Sequence, residues 1–188
     1  MAMFVLIGAF EAIWVLELDH RGASQSFIGL SLTIVALPIA VLSPLGGTLA
    51  QKYGARRWSV SIWMIHAVVV LFYGLVPGLG ILIGLAFFSG ILEGFGFSAA
   101  SMLVSAAVPE DRQAAAQGLM TAVEVGTGAV ASLTLAAIYS SYGDTLAWLI
   151  TAFSMMILLI LGYILTKPED LKPVRPGAPL EKLRRPFE

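Results

Sequence analysis

Cysteine is absent from the 188 residues, and charge is scarce. Without cysteine there are no disulfides, no thiol nucleophile and no Cys-based metal site. The two histidines, His20 and His66, lie too far apart in sequence to make a metal-ligand spacing, so no metal or cofactor is expected. Charged residues make up 12% of the chain, against roughly 25% in soluble domains, so water is not its main solvent. The net charge of -1 leaves no basic field for nucleic acid. There is no G-x-x-x-x-G-K-[ST] nucleotide loop, no Ser/His/Asp set and no H-E-x-x-H. An enzyme or an ATP-driven pump is therefore not expected.

What the chain has in abundance is apolar length: 58% of it is hydrophobic. Six runs stand out, at about 2–18, 26–50, 58–76, 79–106, 113–140 and 145–166. Crossing the hydrocarbon core takes about 20 helical residues, and lipid offers no partner to an unpaired backbone group, so helices are the expected form. The first run has no basic lead and is interrupted by Glu11, which argues against a signal peptide. Lys52, Arg56 and Arg57 fall between runs two and three, Arg112 between four and five, and six further Lys and Arg in the tail 167–188. Alternation puts all of these on one side and only Arg21 on the other. This predicts a plasma (inner) membrane protein with both termini cytoplasmic.

Smaller signals organise the bundle. LAQKYG (residues 49–54) and IYSSYG (138–143) end the second and fifth runs on opposite sides, a faint inverted repeat of two three-helix sets. Gly80/Gly84, Gly90/Gly94 and Gly118, Gly126 and Gly128 are expected at close helix contacts. Pro38 and Pro44 are expected to kink the second helix, and Tyr53, Trp58, Trp63 and Trp148 to sit near membrane boundaries. The tail holds five of the nine prolines and reads as flexible.

Gly47-x-x-x-Gln51-Lys52-x-Gly54-x-Arg56-Arg57 resembles the cytoplasmic loop motif G-x-x-x-D-[RK]-x-G-x-[RK]-[RK] of the major facilitator superfamily, with Gln51 where the family usually has Asp. Pro109-Glu110-Asp111-Arg112-Gln113, followed by Gln117-Gly118, is similar to the family's entry into the fifth helix of a half. The resemblance implies a secondary transporter, with these two loops forming a gate in which Lys52, Arg56 and Arg57 face Glu110 and Asp111. It also implies that six helices are half of a twelve-helix protein. The lost Asp, a fifth helix without the G-x-x-x-G-P-x-x-G-G motif, the Pro-rich ending and a Met1 abutting the first helix point to the C-terminal half of a longer reading frame.

Carboxylates inside membrane helices are costly, so each calls for an account. Glu11, Glu93 and Glu124 qualify. By the resemblance, the first and fourth helices line a central cavity flanked by the second and fifth, so all three acids are expected to approach it. There they would exchange protons or neutralise a cation, with Trp14 and Phe97 as aromatic surfaces for a cation. His66 is expected to pack outside the cavity. Glu17, Asp19 and Arg21 are expected at the interface.

The expectation is an all-α integral membrane protein: six transmembrane helices as two inverted three-helix repeats, half of a major facilitator fold, with a flexible tail 167–188. Its function would be secondary active transport of a small solute by alternating access, coupled to protons. Its partners would be the lipid bilayer, the small-molecule substrate and a second six-helix half, either a covalent N-terminal half or a second copy. The alternative is a non-transporting scaffold or degenerate half that pairs with another membrane protein.

Overall fold

The computed structural model describes residues 1–166, apart from the side chains of Ala106 and Glu110. The expected flexible tail, 167–188, lies outside the described residues. Six α-helices follow in order: α1 Ala2–His20, α2 Gln25–Tyr53, α3 Ala55–Leu71, α4 Leu79–Ala107, α5 Gln113–Tyr142 and α6 Asp144–Leu165. A 3₁₀ turn at Glu110–Arg112 separates α4 from α5, and there is no strand among the described residues.

Local chemistry sets the boundaries. Ser24 caps α2 by accepting the Phe27 amide at 3.3 Å. Gly54, at φ 87°, is the single residue between α2 and α3, and Gly143, at φ 88°, is the single residue between α5 and α6. Both occupy backbone space that favours glycine, so each hairpin reverses within one residue. The third helix starts three residues earlier than the apolar run and stops at Leu71. There the Phe72 and Tyr73 amides bond to Val69 and Val70 three residues back, tightening the chain into a turn that ends at Pro77.

Two tight helix pairs, α1·α5 and α2·α4, form the centre. They meet each other only lightly, through α1·α2 and α4·α5. The flanking helices close the bundle: α3 packs on α4, α6 on α1, and α3 on α6. Glycine sets the closeness of the pairs. A Cβ on Gly46 would stand 2.5 Å from the carbonyl oxygen of Phe95, and one on Gly94 would stand 2.9 Å from that of Pro38. A Cβ on Gly8 would collide with the carbonyl of Gly128. Gly90 packs likewise on Val35, but Gly80, Gly84, Gly118 and Gly126 face open space, so the small-residue expectation holds for only part of the set. Pro38 and Pro44 sit inside an unbroken α2.

The core is aromatic where α1, α3 and α6 meet. Trp14 stacks on Phe10 at 4.6 Å, and Tyr73 meets Trp148 edge-on at 4.9 Å. Trp63, packed against Gly96, and Trp148 are buried, so these two are interior side chains rather than members of a boundary belt. His66 is fully buried beside Trp63, on α3 and away from the centre. Four helices, α2, α4, α5 and α6, are long and apolar enough to cross a membrane. In α1, Glu11, Glu17 and Asp19 break the apolar window, and α3 has 17 residues.

Candidate functional site

The thin α4·α5 contact is where polar side chains gather. Gln117 on α5 spans it: its amide nitrogen donates to the Ser101 carbonyl at 3.0 Å and to Ser105 Oγ at 3.0 Å, and its oxygen accepts from Ser101 Oγ at 3.4 Å. Gln113 Nε2 donates to the Ser105 carbonyl at 3.3 Å. These bonds fix an antiparallel register, Ser105 opposite Gln113 and Ser101 opposite Gln117. Four-residue steps then bring Phe97 level with Thr121, and Glu93 level with Val125, one residue from Glu124. Phe97 is 52% exposed. Glu93 and Glu124 are half-buried.

Glu11 is placed elsewhere. Helices α1 and α5 run side by side with Phe4 against Gly128. Because each residue rises 1.5 Å, Glu11 stands roughly 15 Å along the bundle from Glu124. The three acids expected around one cavity are therefore not brought to one level. Trp14 is corrected outright. Its ring is fully buried, and its Nε1 donates to Ser31 Oγ at 2.9 Å, so no ligand cation reaches it.

At the end of the bundle that carries Lys52, the basic loop is arranged differently from expectation. Arg56 turns to α6, stacking its guanidinium 4.0 Å over the Tyr163 ring and donating to the Tyr163 carbonyl. The first turn of α3 lies beside the last turn of α6, and that neighbour captures the side chain. Asp111 pairs with its own neighbour Arg112 at 4.0 Å, both exposed. Lys52 lies over the ring of Tyr53, at 5.2 Å. Gln51 and Arg57 are exposed, and Gly54 forms the reversal. A Cβ on Gly47 would stand 3.5 Å from that of Ser98 at the α2·α4 contact. The Glu110 side chain, named in the expected gate, lies outside the described ones.

The opposite end holds a cluster that sequence reading left at the interface. Glu17 is 2% exposed. Arg21 Nε donates to Glu17 Oε1 at 2.6 Å, Nη1 to the Val76 carbonyl at 2.7 Å, and Nη2 to Asp144 Oδ2 at 3.4 Å. His20 Nδ1 and the Tyr139 hydroxyl share a hydrogen bond of 2.9 Å. Thr145 Oγ1 donates to the Gly74 carbonyl at 2.7 Å. Glu17, His20, Arg21, Val76, Tyr139 and Asp144 line a cleft of about 500 Å³. The available signal was Glu17 and Arg21 at i,i+4 spacing at the end of an apolar run. Asp144 and Val76 are too distant in sequence to be matched to it by pattern.

Four helices long and apolar enough to cross a bilayer define an integral membrane helix bundle. The chain belongs to the Major Facilitator Superfamily, whose sequence pattern matches residues 1–187. It is 30% identical over 128 residues to the multi-drug resistance efflux pump PmrA of Streptococcus pneumoniae, covering 67% of this chain and 32% of that protein. It is 27% identical over 176 residues to the multidrug resistance protein MdtG of Dickeya zeae, covering 93% of this chain and 43% of that one. The MdtG of Citrobacter koseri is 27% identical over 175 residues, covering 92% and 43%. The chain thus spans a third to two fifths of the length of these relatives.

Proposed function

We propose that the chain is one six-helix half of a secondary transporter that moves a small solute by alternating access. All six helices would span the bilayer as two inverted three-helix repeats. One observation carries this reading. If α1, α2 and α3 are exchanged with α4, α5 and α6, the packing pairs map onto one another: α1·α5 onto α2·α4, α3·α4 onto α1·α6, α2·α3 onto α5·α6, α1·α2 onto α4·α5, and α3·α6 onto itself. The single-residue reversals at Gly54 and Gly143 fall at equivalent places in the two sets. Inverted repeats of this kind build many secondary transporters around a midplane site.

The Lys52 end is cytoplasmic on this reading, because the basic loops collect there, and the membrane is the plasma membrane. Glu93 is the coupling acid, with Glu124 within one residue of its level on α5 and Phe97, one turn away on α4, as the adjoining exposed ring. Proton exchange at these carboxylates links solute movement to the gradient. Relatives named for multidrug resistance favour an amphipathic organic solute, and paired acids favour a cationic one. The Lys52 loop and the Asp111 loop act as the gate when a second half, covalent or a second copy, closes over this one.

Everted membrane vesicles holding the chain, alone and with a partner half, test the reading. Gradient-driven uptake of a cationic dye such as ethidium is expected when a partner half is present, with collapse by an uncoupler. Uptake that is absent in both settings, or indifferent to the uncoupler, overturns it and leaves a non-transporting scaffold.

A further inference from the structure

The Arg21 cluster lies apart from Glu93 and Glu124, yet it is the most heavily bonded polar group among the described residues. Its three nitrogens each reach a different element: Glu17 on α1 itself, the Val76 carbonyl in the turn between α3 and α4, and Asp144 at the start of α6. A lysine has no rigid fork with which to do this. The bonds around it extend the same connection. His20 meets Tyr139, tying α1 to α5, and Thr145 holds the Gly74 carbonyl, tying α6 to the same turn. A Cβ on Gly74 would lie 2.6 Å from Thr145 Cα, so the turn and α6 touch backbone to backbone.

The first turn of α2 takes no part in these bonds. At this end α2 begins after Gly22, at φ 79°, and its Ser24 cap bonds only its own Phe27. Its first polar bond to another helix comes at Ser31, two turns in.

We propose that Arg21 is the positioning residue of this end: it fastens α1 to α6 and to the α3–α4 turn as one body, leaving α2 as the helix end that swings. Its consequence for transport rests on the alternating-access reading above, but the fastening itself is measurable without transport. Arg21 touches no solute in this account. It keeps the wall formed by α1 in place while the bundle rocks.

The chain has no cysteine, so single spin labels can be placed without background. One label goes at Leu75 in the held turn, which is 56% exposed, and a second goes at Ser26 in the free first turn of α2. In lipid nanodiscs, Arg21→Lys keeps a charge for Glu17 but loses the fork. It is expected to raise the mobility of the Leu75 label several-fold with Ser26 unchanged, and Asp144→Asn is expected to do so more weakly. In vesicles, Arg21→Lys is expected to lower the maximal transport rate with the half-saturating solute concentration unchanged. Leu75 as ordered in Arg21→Lys as in the parent overturns the proposal. So does equal loosening at both labels, which would mark Arg21 as general structural support. Loosening at Leu75 alone, with no transport by the parent protein, would sink the transport reading and leave the fastening standing.

Discussion

At the Arg21 end, one guanidinium sits among a buried carboxylate, a backbone carbonyl and a second carboxylate, and three helices and the α3–α4 turn are joined through that network. At the Lys52 end, the charges point outward. Arg112 and Asp111 are 77% and 78% exposed and stand 4.0 Å apart, and among the described residues only Arg56 is captured by another helix. Removing one member of a buried pair strands a charge, so such a pair fixes geometry. An exposed pair is worth little and exchanges partners readily. One end of the bundle is therefore held by buried charge, while the other carries its charge in the open. Glu93 and Glu124 sit beyond the Gln117 bonds that join α4 to α5, on the side away from Lys52.

The contrast can be broken at either end, and unfolding in detergent micelles should rank the variants. Arg21→Ala should cost the most, about 3 kcal/mol, because Glu17 is left buried without its counter-charge. Gly46→Val should cost about 2 kcal/mol, since its new side chain meets the backbone of Gly94 and Phe95, which cannot move aside. Gly84→Ala, facing open space, should stay within about 0.5 kcal/mol and serves as its control. Arg56→Ala should cost about 1 kcal/mol for the lost ring contact with Tyr163. Arg112→Ala should change stability by less than about 0.5 kcal/mol. A loss from Arg112→Ala as large as that from Arg21→Ala would erase the distinction between the ends.

Much of this was written in local pattern. The six helices and their order follow from apolar length, and the hairpin reversals at Gly54 and Gly143 from a Tyr-Gly repeated at the ends of α2 and α5. The glycine and basic spacing of residues 47–57 pointed to the family. What was not legible depends on which helices meet. Gly90 and Gly84 look alike in sequence, yet only Gly90 faces Val35. Trp14 looked like a cavity aromatic until Ser31, seventeen residues away, took its ring nitrogen. Arg56 belonged by motif to the acidic loop, but α6 ends beside α3 and Tyr163 captures it. Glu17 and Arg21 were read as interfacial because nothing local shows that Val76 and Asp144 close over them.

The central claim is that Glu93 couples protons to solute movement at the α4·α5 contact. Its most direct test is gradient-driven solute flux in proteoliposomes holding Glu93→Gln together with the partner half, compared with the unsubstituted pair. The account predicts that flux is lost while membrane insertion and the unfolding midpoint stay the same. Undiminished flux with an unchanged dependence on pH would contradict it.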